Sequence, residues 1–349
     1  MIKIDVFDIT DWNPHPWMNT GGTRDKKYIQ SPNGEYYYFK TSLLRPGKDY
    51  KYEFWCEVIA FWLGRHLGFN TLKYDVGIDK DKIGCISLSM IDNDKEDLVE
   101  GGKYLQAFDN TFDPGAKSFR NWYSFQLIEE TLIQFQLKEY LIDICEVVIF
   151  DAIIGNGDRH QENWAFITNL SPFGVGVVIL ERLAGNESNL KGVLRWLARW
   201  YKGQMNKMSR ELNEVKVTYN RPKSFAPIYD NGSCLGRELL DHRVELINRD
   251  EKELRKYIAR GKSEIHWNNK KITHFELIKN ISKKYGKEVK EIIYRVEKKY
   301  NSEKFAEFLD SLDTKVPNRF KDFIIPENRK ELIIKMVNLR IENLKKLIG

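Results

Sequence analysis

Residues 150–164 read Phe-Asp-Ala-Ile-Ile-Gly-Asn-Gly-Asp-Arg-His-Gln-Glu-Asn-Trp, which sets a carboxylate, Asp158, five positions before a carboxamide, Asn163. Roughly seventy residues later comes Ala-Pro-Ile-Tyr-Asp-Asn-Gly-Ser, with Asp230 as its acid. An aspartate can take the proton of an attacking hydroxyl, while an Asn and a second Asp offer the hard oxygen ligands that magnesium prefers. Phosphoryl transfer asks little more of a protein than this: phosphates held, their charge offset by metal, and an acceptor aligned with the γ-phosphorus. The residues therefore have to converge on ATP and Mg2+ in one cleft. Asn156, Arg159 and His160 are expected as supports, with Arg159 orienting the loop or compensating charge and His160 contacting the nucleotide or holding the loop.

Taken singly, these residues say little. Asp-x-x-x-x-Asn in a polar turn is more often loop capping than catalysis, and Tyr-Asp-Asn-Gly is ordinary turn chemistry. Their setting is more informative. Asp158 and Asn163 follow a long apolar stretch and precede the strand-like Trp164-Ala-Phe-Ile167; Asp230 follows the apolar Phe225-Ala-Pro-Ile-Tyr229. Each metal ligand is thus expected at the end of a short strand, and pairing of the two strands would bring both to one opening.

The N-terminal third supplies the rest of a nucleotide site. Lys40 ends the aromatic run Tyr36-Tyr-Tyr-Phe-Lys40, and Glu57 lies on a segment, Glu53 to Gly68, with apolar residues at helical spacing and a glycine stop. A strand lysine that reaches phosphates and a helical Glu that pairs with it make a kinase-like N-lobe, although either alone is usually a solvated surface charge. Ahead of them, Gly21-Gly-Thr-Arg-Asp-Lys26 and Ser31-Pro-Asn-Gly34 suggest a glycine-rich hairpin whose Gly21, Gly22 and Thr23 amides would cover the phosphates, aided by Lys26.

With 349 residues, 42% of them hydrophobic and 30% charged, the chain can bury a large core in two lobes. The reading is α+β: a β-rich N-lobe over 1–92 and a mostly helical C-lobe over 93–349, interrupted by an insertion at about 168–222. Asn121 to Ile154 is dense enough in apolar residues for a buried core helix preceded by another. Helical spacing recurs over 273–285, opening with the capping box Thr273-His-Phe-Glu276, and over 287–300, 302–312 and 328–348. No apolar run reaches the roughly 18 residues of a membrane span. Four scattered cysteines indicate neither a disulfide framework nor a zinc site. A cytoplasmic protein is expected. Residues 241–349 carry 27 Lys and Arg against 18 Asp and Glu, which is read first as solvated helix surface and second as a face for an acidic or nucleic-acid partner.

The motifs Ile-Gly-Asn156-Gly-Asp158-Arg-His160-x-x-Asn163-Trp and Ala-Pro-Ile-Tyr-Asp230-Asn-Gly-Ser-Cys-Leu-Gly together resemble the HipA-like serine/threonine kinase family, especially its compact CtkA-like members. The resemblance implies Asp158 as catalytic base, Asn163 and Asp230 as Mg2+ ligands, and Lys40 on ATP. It extends to Gly22-Thr-Arg-Asp-Lys26 as a phosphate loop and to 268–277 in the C-lobe. It also implies a protein substrate such as a translation component, a toxin-like role with an antitoxin partner, and autophosphorylation at Thr20 or Thr23. The chain departs from the larger family members in lacking a long N-terminal subdomain, and from compact ones in the length of 168–222.

Two other readings stay open. Gly-Asp-Arg-His-x-x-Asn also resembles the catalytic loop of phosphatidylinositol kinases, and the basic, Trp-containing 195–202 segment suits an anionic membrane, though a membrane is not the expected partner. A non-catalytic nucleotide-sensing or DNA-associated module is the other, against which the complete set of Lys40, Asp158, Asn163 and Asp230 argues.

Overall fold

The chain, analysed as a computed structural model, is described over residues 2–14, 26–45, 48–113, 122–170 and 221–348 together with Arg199. It divides into two compact units. The first comprises residues 1–89, 101–164 and 227–349, and the second residues 90–100 and 165–226.

The first unit opens with a six-stranded sheet in the order β1-β7-β8-β4-β3-β2. Its strands are β1 (Val6–Asp8), β2 (Asn13–Pro14), β3 (Lys26–Gln30), β4 (Tyr36–Thr41), β7 (Asp75–Asp79) and β8 (Lys82–Leu88). Only the β1–β7 pair is parallel. The expected hairpin is β3–β4, turned at Gly34 in the left-handed region (φ 84°), with Tyr28 opposite Tyr38 and Lys26 opposite Lys40. Its aromatic, β-branched character suits a pleated face: Phe39, Ile29, Ile86 and Ile9 close one core cluster. A short pair, β5 (Leu44–Arg45) and β6 (Lys48–Asp49), leads to helix α1 (Glu53–Leu67).

Helix α1 is expected from its spacing to be amphipathic, and it is instead buried nearly all round. Of its fifteen residues only Arg65 and His66 escape burial. The cause lies in its two neighbours: the sheet on one side, and on the other the C-terminal helices, where Trp62 stacks on Phe308 at 4.2 Å and the Trp55 indole donates to the Phe323 carbonyl at 2.7 Å. Burying a Phe-sized side chain stabilises by about 1.5–3 kcal/mol, so α1 is a fixed reference for the charged residues it carries. Gly68, at φ 88°, ends it with a left-handed cap.

The remaining helices are α2 (Gly101–Phe108), α3 (Phe125–Gln134), α4 (Leu141–Ile154), α5 (Asp241–Arg249), α6 (Glu251–Arg260), α7 (His274–Ile281), α8 (Gly286–Lys299), α9 (Ser302–Ser311) and α10 (Glu327–Lys345). The apolar 121–154 stretch is two helices, broken at Gln136 with φ 58°. In α4 only Ile142, Asp143 and Glu146 escape burial, because α7, α8 and α10 pack around it. The capping box at Thr273 forms, both halves present. Among the described residues no helix is long and apolar enough to cross a membrane, and all four cysteines are buried and free.

In the second unit, β9 (Glu96–Glu100), β10 (Ala165–Asn169) and β11 (Ser224–Phe225) form an antiparallel sheet with β10 in the middle, Phe166 facing Phe225 and Val99. The apolar stripe that Leu190, Val193, Leu194, Leu197, Tyr201, Met208 and Leu212 are expected to form at helical spacing lies outside the described residues.

Candidate active site

Helix α4 ends at Gly155, whose φ of 71° suits glycine and whose missing side chain leaves room for the Arg340 guanidinium. The chain then turns into 156–163. Asn156 is fully buried; its carboxamide nitrogen donates to Asp151 at 3.2 Å and its oxygen accepts from the Asp158 amide at 3.1 Å. This Asx turn presents Asp158 at the surface while the next residue, Arg159, is turned wholly inward.

Arg159 is the anchor of the loop. Its guanidinium pairs with Asp151 at 2.8 Å, donates to the carbonyls of Asn163 (2.9 Å) and Tyr229, and donates to the Asn231 side chain at 2.6 Å. Burial alone would push the guanidinium down, but the Asp151 carboxylate holds it above its ordinary value and charged. A buried cation needs all of these acceptors. Because two of them lie at 229–231, the same guanidinium fixes the segment that carries Asp230.

The Asn163 carboxamide nitrogen donates to the Asp158 carbonyl at 2.7 Å, which fixes the orientation of the amide and leaves its oxygen as the atom that would meet a metal. Asp230 stands in the left-handed region at φ 54°, a sparsely populated conformation for a non-glycine residue. It is held there from several directions. Ile228 just before it pairs with the backbone of Asn70 and Leu72, its own amide donates to the Tyr74 hydroxyl at 3.4 Å, and the Asn231 amide donates to Glu57 at 2.6 Å. Gly232 passes so close to α1 that a Cβ would meet Glu57 at 3.1 Å and Glu53 at 3.2 Å. Burial, and after it the Glu57 carboxylate, push the Tyr74 phenol far up, so it stays neutral.

Lys40 and Glu57 meet as expected. The Lys40 ammonium lies 2.7 Å from Glu57 Oε1 and also pairs with the Asp230 carboxylate. Glu57 is fully buried, and its two oxygens serve Lys40 and the Asn231 amide. Lys26 lies across the β3–β4 ladder from Lys40, so the two cations are cross-strand neighbours on one face. Gly21, Gly22 and Thr23, expected as a phosphate loop, and Thr20 lie outside the described residues.

Lys40, Glu57, Asn156, Asp158, Arg159, Asn163 and Asp230 are thus drawn into one connected network. The His160 ring stands apart, accepting from the Glu162 amide at 3.4 Å, while the His160 backbone donates to the Asp158 carbonyl and accepts from the Asn163 amide, each at 2.9 Å. Sequence reasoning missed Asp151, Asn231, Tyr74 and Ser233, whose hydroxyl donates to Asp158 at 3.1 Å.

The donor set fits a magnesium–nucleotide complex. One carboxylate and one carboxamide are too few for an all-protein cage, and among the described residues no cluster of three His, Cys, Asp or Glu side chains forms a metal site. Magnesium held by one or two protein oxygens needs water and phosphate oxygens to complete its octahedron, as in kinase and ATPase sites. Asn163 and Asp230 would hold the metal, and Lys40 the phosphates.

No protein-family model matches the chain, and a search of curated proteins returns no match. Among solved structures, the proinflammatory kinase CtkA of Helicobacter pylori matches over 99% of this chain and 98% of its own, at a TM-score of 0.70 and 18% identity. HipA of Shewanella oneidensis MR-1, solved with HipB and operator DNA, matches over 96% of this chain and 66% of its own, at a TM-score of 0.43 and 11% identity, too distant to add weight. The chain has the α+β, kinase-like fold of the Helicobacter protein, with a β-sheet N-terminal lobe and a helical C-terminal part, and this fold agrees with the HipA-like resemblance carried by its Asp158–Asn163 and Asp230 motifs.

Proposed function

We propose that this chain is an ATP- and Mg2+-dependent protein kinase acting on serine or threonine hydroxyls. The observation that supports the reading most directly is the Lys40 ammonium between Glu57 and Asp230, with Asp158 and Asn163 tied through Arg159 to the Asp230 segment. Lys40, aided by Lys26, would bind the phosphates. Asn163 and Asp230 would hold the metal, which offsets charge on the transferring group. Asp158, exposed at the head of its turn, would accept the proton of the attacking hydroxyl.

A protein acceptor, a translation component in particular, and an antitoxin partner follow from the family resemblance, as do a cytoplasmic site of action and autophosphorylation at Thr20 or Thr23. A lipid acceptor rests on the resemblance of Gly157-Asp-Arg-His-x-x-Asn163 to phosphatidylinositol kinases and on 195–202, of which all but Arg199 lies outside the described residues.

The test compares wild type with Asp158→Ala and Asp230→Ala in phosphotransfer from radiolabelled ATP, with and without magnesium, offering protein mixtures and inositol lipids separately. Each substitution is expected to lower transfer to protein by about 10²–10⁴-fold, the range of a lost general base or metal ligand. Equal transfer by all three proteins would remove the site assignment, and transfer to lipid alone would replace the acceptor.

A further inference from the structure

Asp158 is exposed, and a carboxylate at the surface rotates broadly about its terminal torsion. Here one oxygen is engaged: Oδ2 accepts a hydrogen bond of 3.1 Å from the Ser233 hydroxyl. Ser233 lies three residues after Asp230, on a stretch that is tied down on both sides. Before it, the Asn231 amide is bonded to Glu57 on α1 and Gly232 is pressed against the same helix. After it, Cys56 of α1 donates its thiol to the Cys234 carbonyl at 3.4 Å, and the Leu235 amide donates to the carbonyl of Ile154 at 2.9 Å. The hydroxyl is therefore presented by a backbone with little freedom, and its bond to Asp158 carries orientation from α1 to the exposed carboxylate.

We infer that Ser233 is a positioning residue for the reaction, setting the Asp158 carboxylate from the metal-ligand loop so that Oδ1 is the oxygen turned to the acceptor hydroxyl. The inference rests on the kinase reading and deepens it. The helix that sets Lys40 through Glu57 would then also set the base through Ser233, so nucleotide and base share one frame. A base misplaced by about 1 Å can cost up to roughly 10²-fold in rate, while nucleotide contacts made by Lys40 and Asp230 are untouched.

The test measures magnesium-dependent transfer from radiolabelled ATP to casein by wild type, Ser233→Ala, Ser233→Thr and Asp158→Ala, with thermal melting of each. Ser233→Ala is expected to lower kcat about tenfold with KM for ATP within about twofold and melting unchanged, and Ser233→Thr to recover to within about threefold of wild type. Wild-type kcat in Ser233→Ala, in a protein that Asp158→Ala silences, overturns this inference alone. So does a Thr variant no better than Ala, or phosphate found on Ser233 by peptide mass spectrometry, which would make it an acceptor. A wild type that transfers to neither casein nor itself overturns the kinase reading and this inference with it.

Discussion

The segment that carries Asp158 and the one that carries Asp230 meet most extensively at one side chain, Arg159, with the Ser233–Asp158 and Tyr229–Glu162 hydrogen bonds beside it, yet they are built in opposite ways. The first is local. Asp151, Asn156, Asp158, Arg159 and Asn163 satisfy one another within thirteen residues of chain, and the helix that delivers them is already a core element. The second is held almost wholly from afar: by Glu57 and Lys40, 174 and 190 residues away in sequence from their partners, by Tyr74, and by the backbone of 70–72. A locally built loop keeps its shape when the rest of the molecule breathes, whereas a loop built on distant contacts reports the position of whatever holds it. Asp230, in its strained left-handed conformation, is on the reporting side.

The sharpest break in that contrast is at the shared side chain. Arg159→Leu leaves Asp151 buried without its cation and removes acceptor-linked anchors from both segments. It is expected to lower unfolding free energy by about 3–5 kcal/mol, the cost of breaking a buried ion pair, measured by urea titration. Phosphotransfer should be lost with it. If stability falls by less than about 1 kcal/mol, the two segments do not depend on a common anchor.

The same contrast explains what could be read in advance. Asp158, Asn163 and the turn between them were legible because their spacing encodes the geometry directly, and Lys40 and Glu57 because a strand end and a helix each fix where a side chain points. Asp151 was within reach of the same reasoning: an acid in an apolar helix end, eight residues before an arginine, has to find a buried cation. Asn231, Tyr74 and Ser233 were not, since each matters through a partner that only tertiary packing supplies. Helix α1 was recognised as a helix, but its all-round burial depends on α9 and the 318–323 turn, which no local pattern in 53–67 reveals.

Glu57→Gln tests the distant side alone. The amide keeps its volume and an acceptor for Asn231, but it loses the charge that holds Lys40. A charge-assisted bond of this kind is worth about 1.5–3 kcal/mol. Phosphotransfer is expected to fall by roughly 30-fold, mostly as weaker ATP binding, with the 156–163 segment intact. Hydrogen exchange should show faster opening at 229–236 and unchanged protection at 156–163. Equal loosening of both segments would mean that they are one unit and that the contrast drawn between them is false.

The smallest effect concerns the footing of the local segment, and it is read through pH. Arg340 packs against Gly155 and Gly261 and donates to the Ala152 carbonyl at the end of α4, and His274, the first residue of α7, lies against Gly261 on the same side. Burial, then the charges of Arg340 and Lys271, push the His274 imidazole down to about 3 from an ordinary 6.5, so it is neutral in the folded chain. Between those values the unfolded chain binds the extra proton and the folded chain does not, so stability rises with pH across the window and is lost as pH falls through it. From pH 6.5 to 5 the loss from this group is roughly 1–2 kcal/mol, since the slope reaches its full 1.36 kcal/mol per unit only below the unfolded value. His274→Phe should flatten that part of the urea-unfolding profile relative to wild type, at whatever cost in packing it brings at pH 7. Parallel slopes in the two proteins would show that His274 becomes protonated without unfolding, and that Arg340 supports the end of α4 without needing a neutral neighbour.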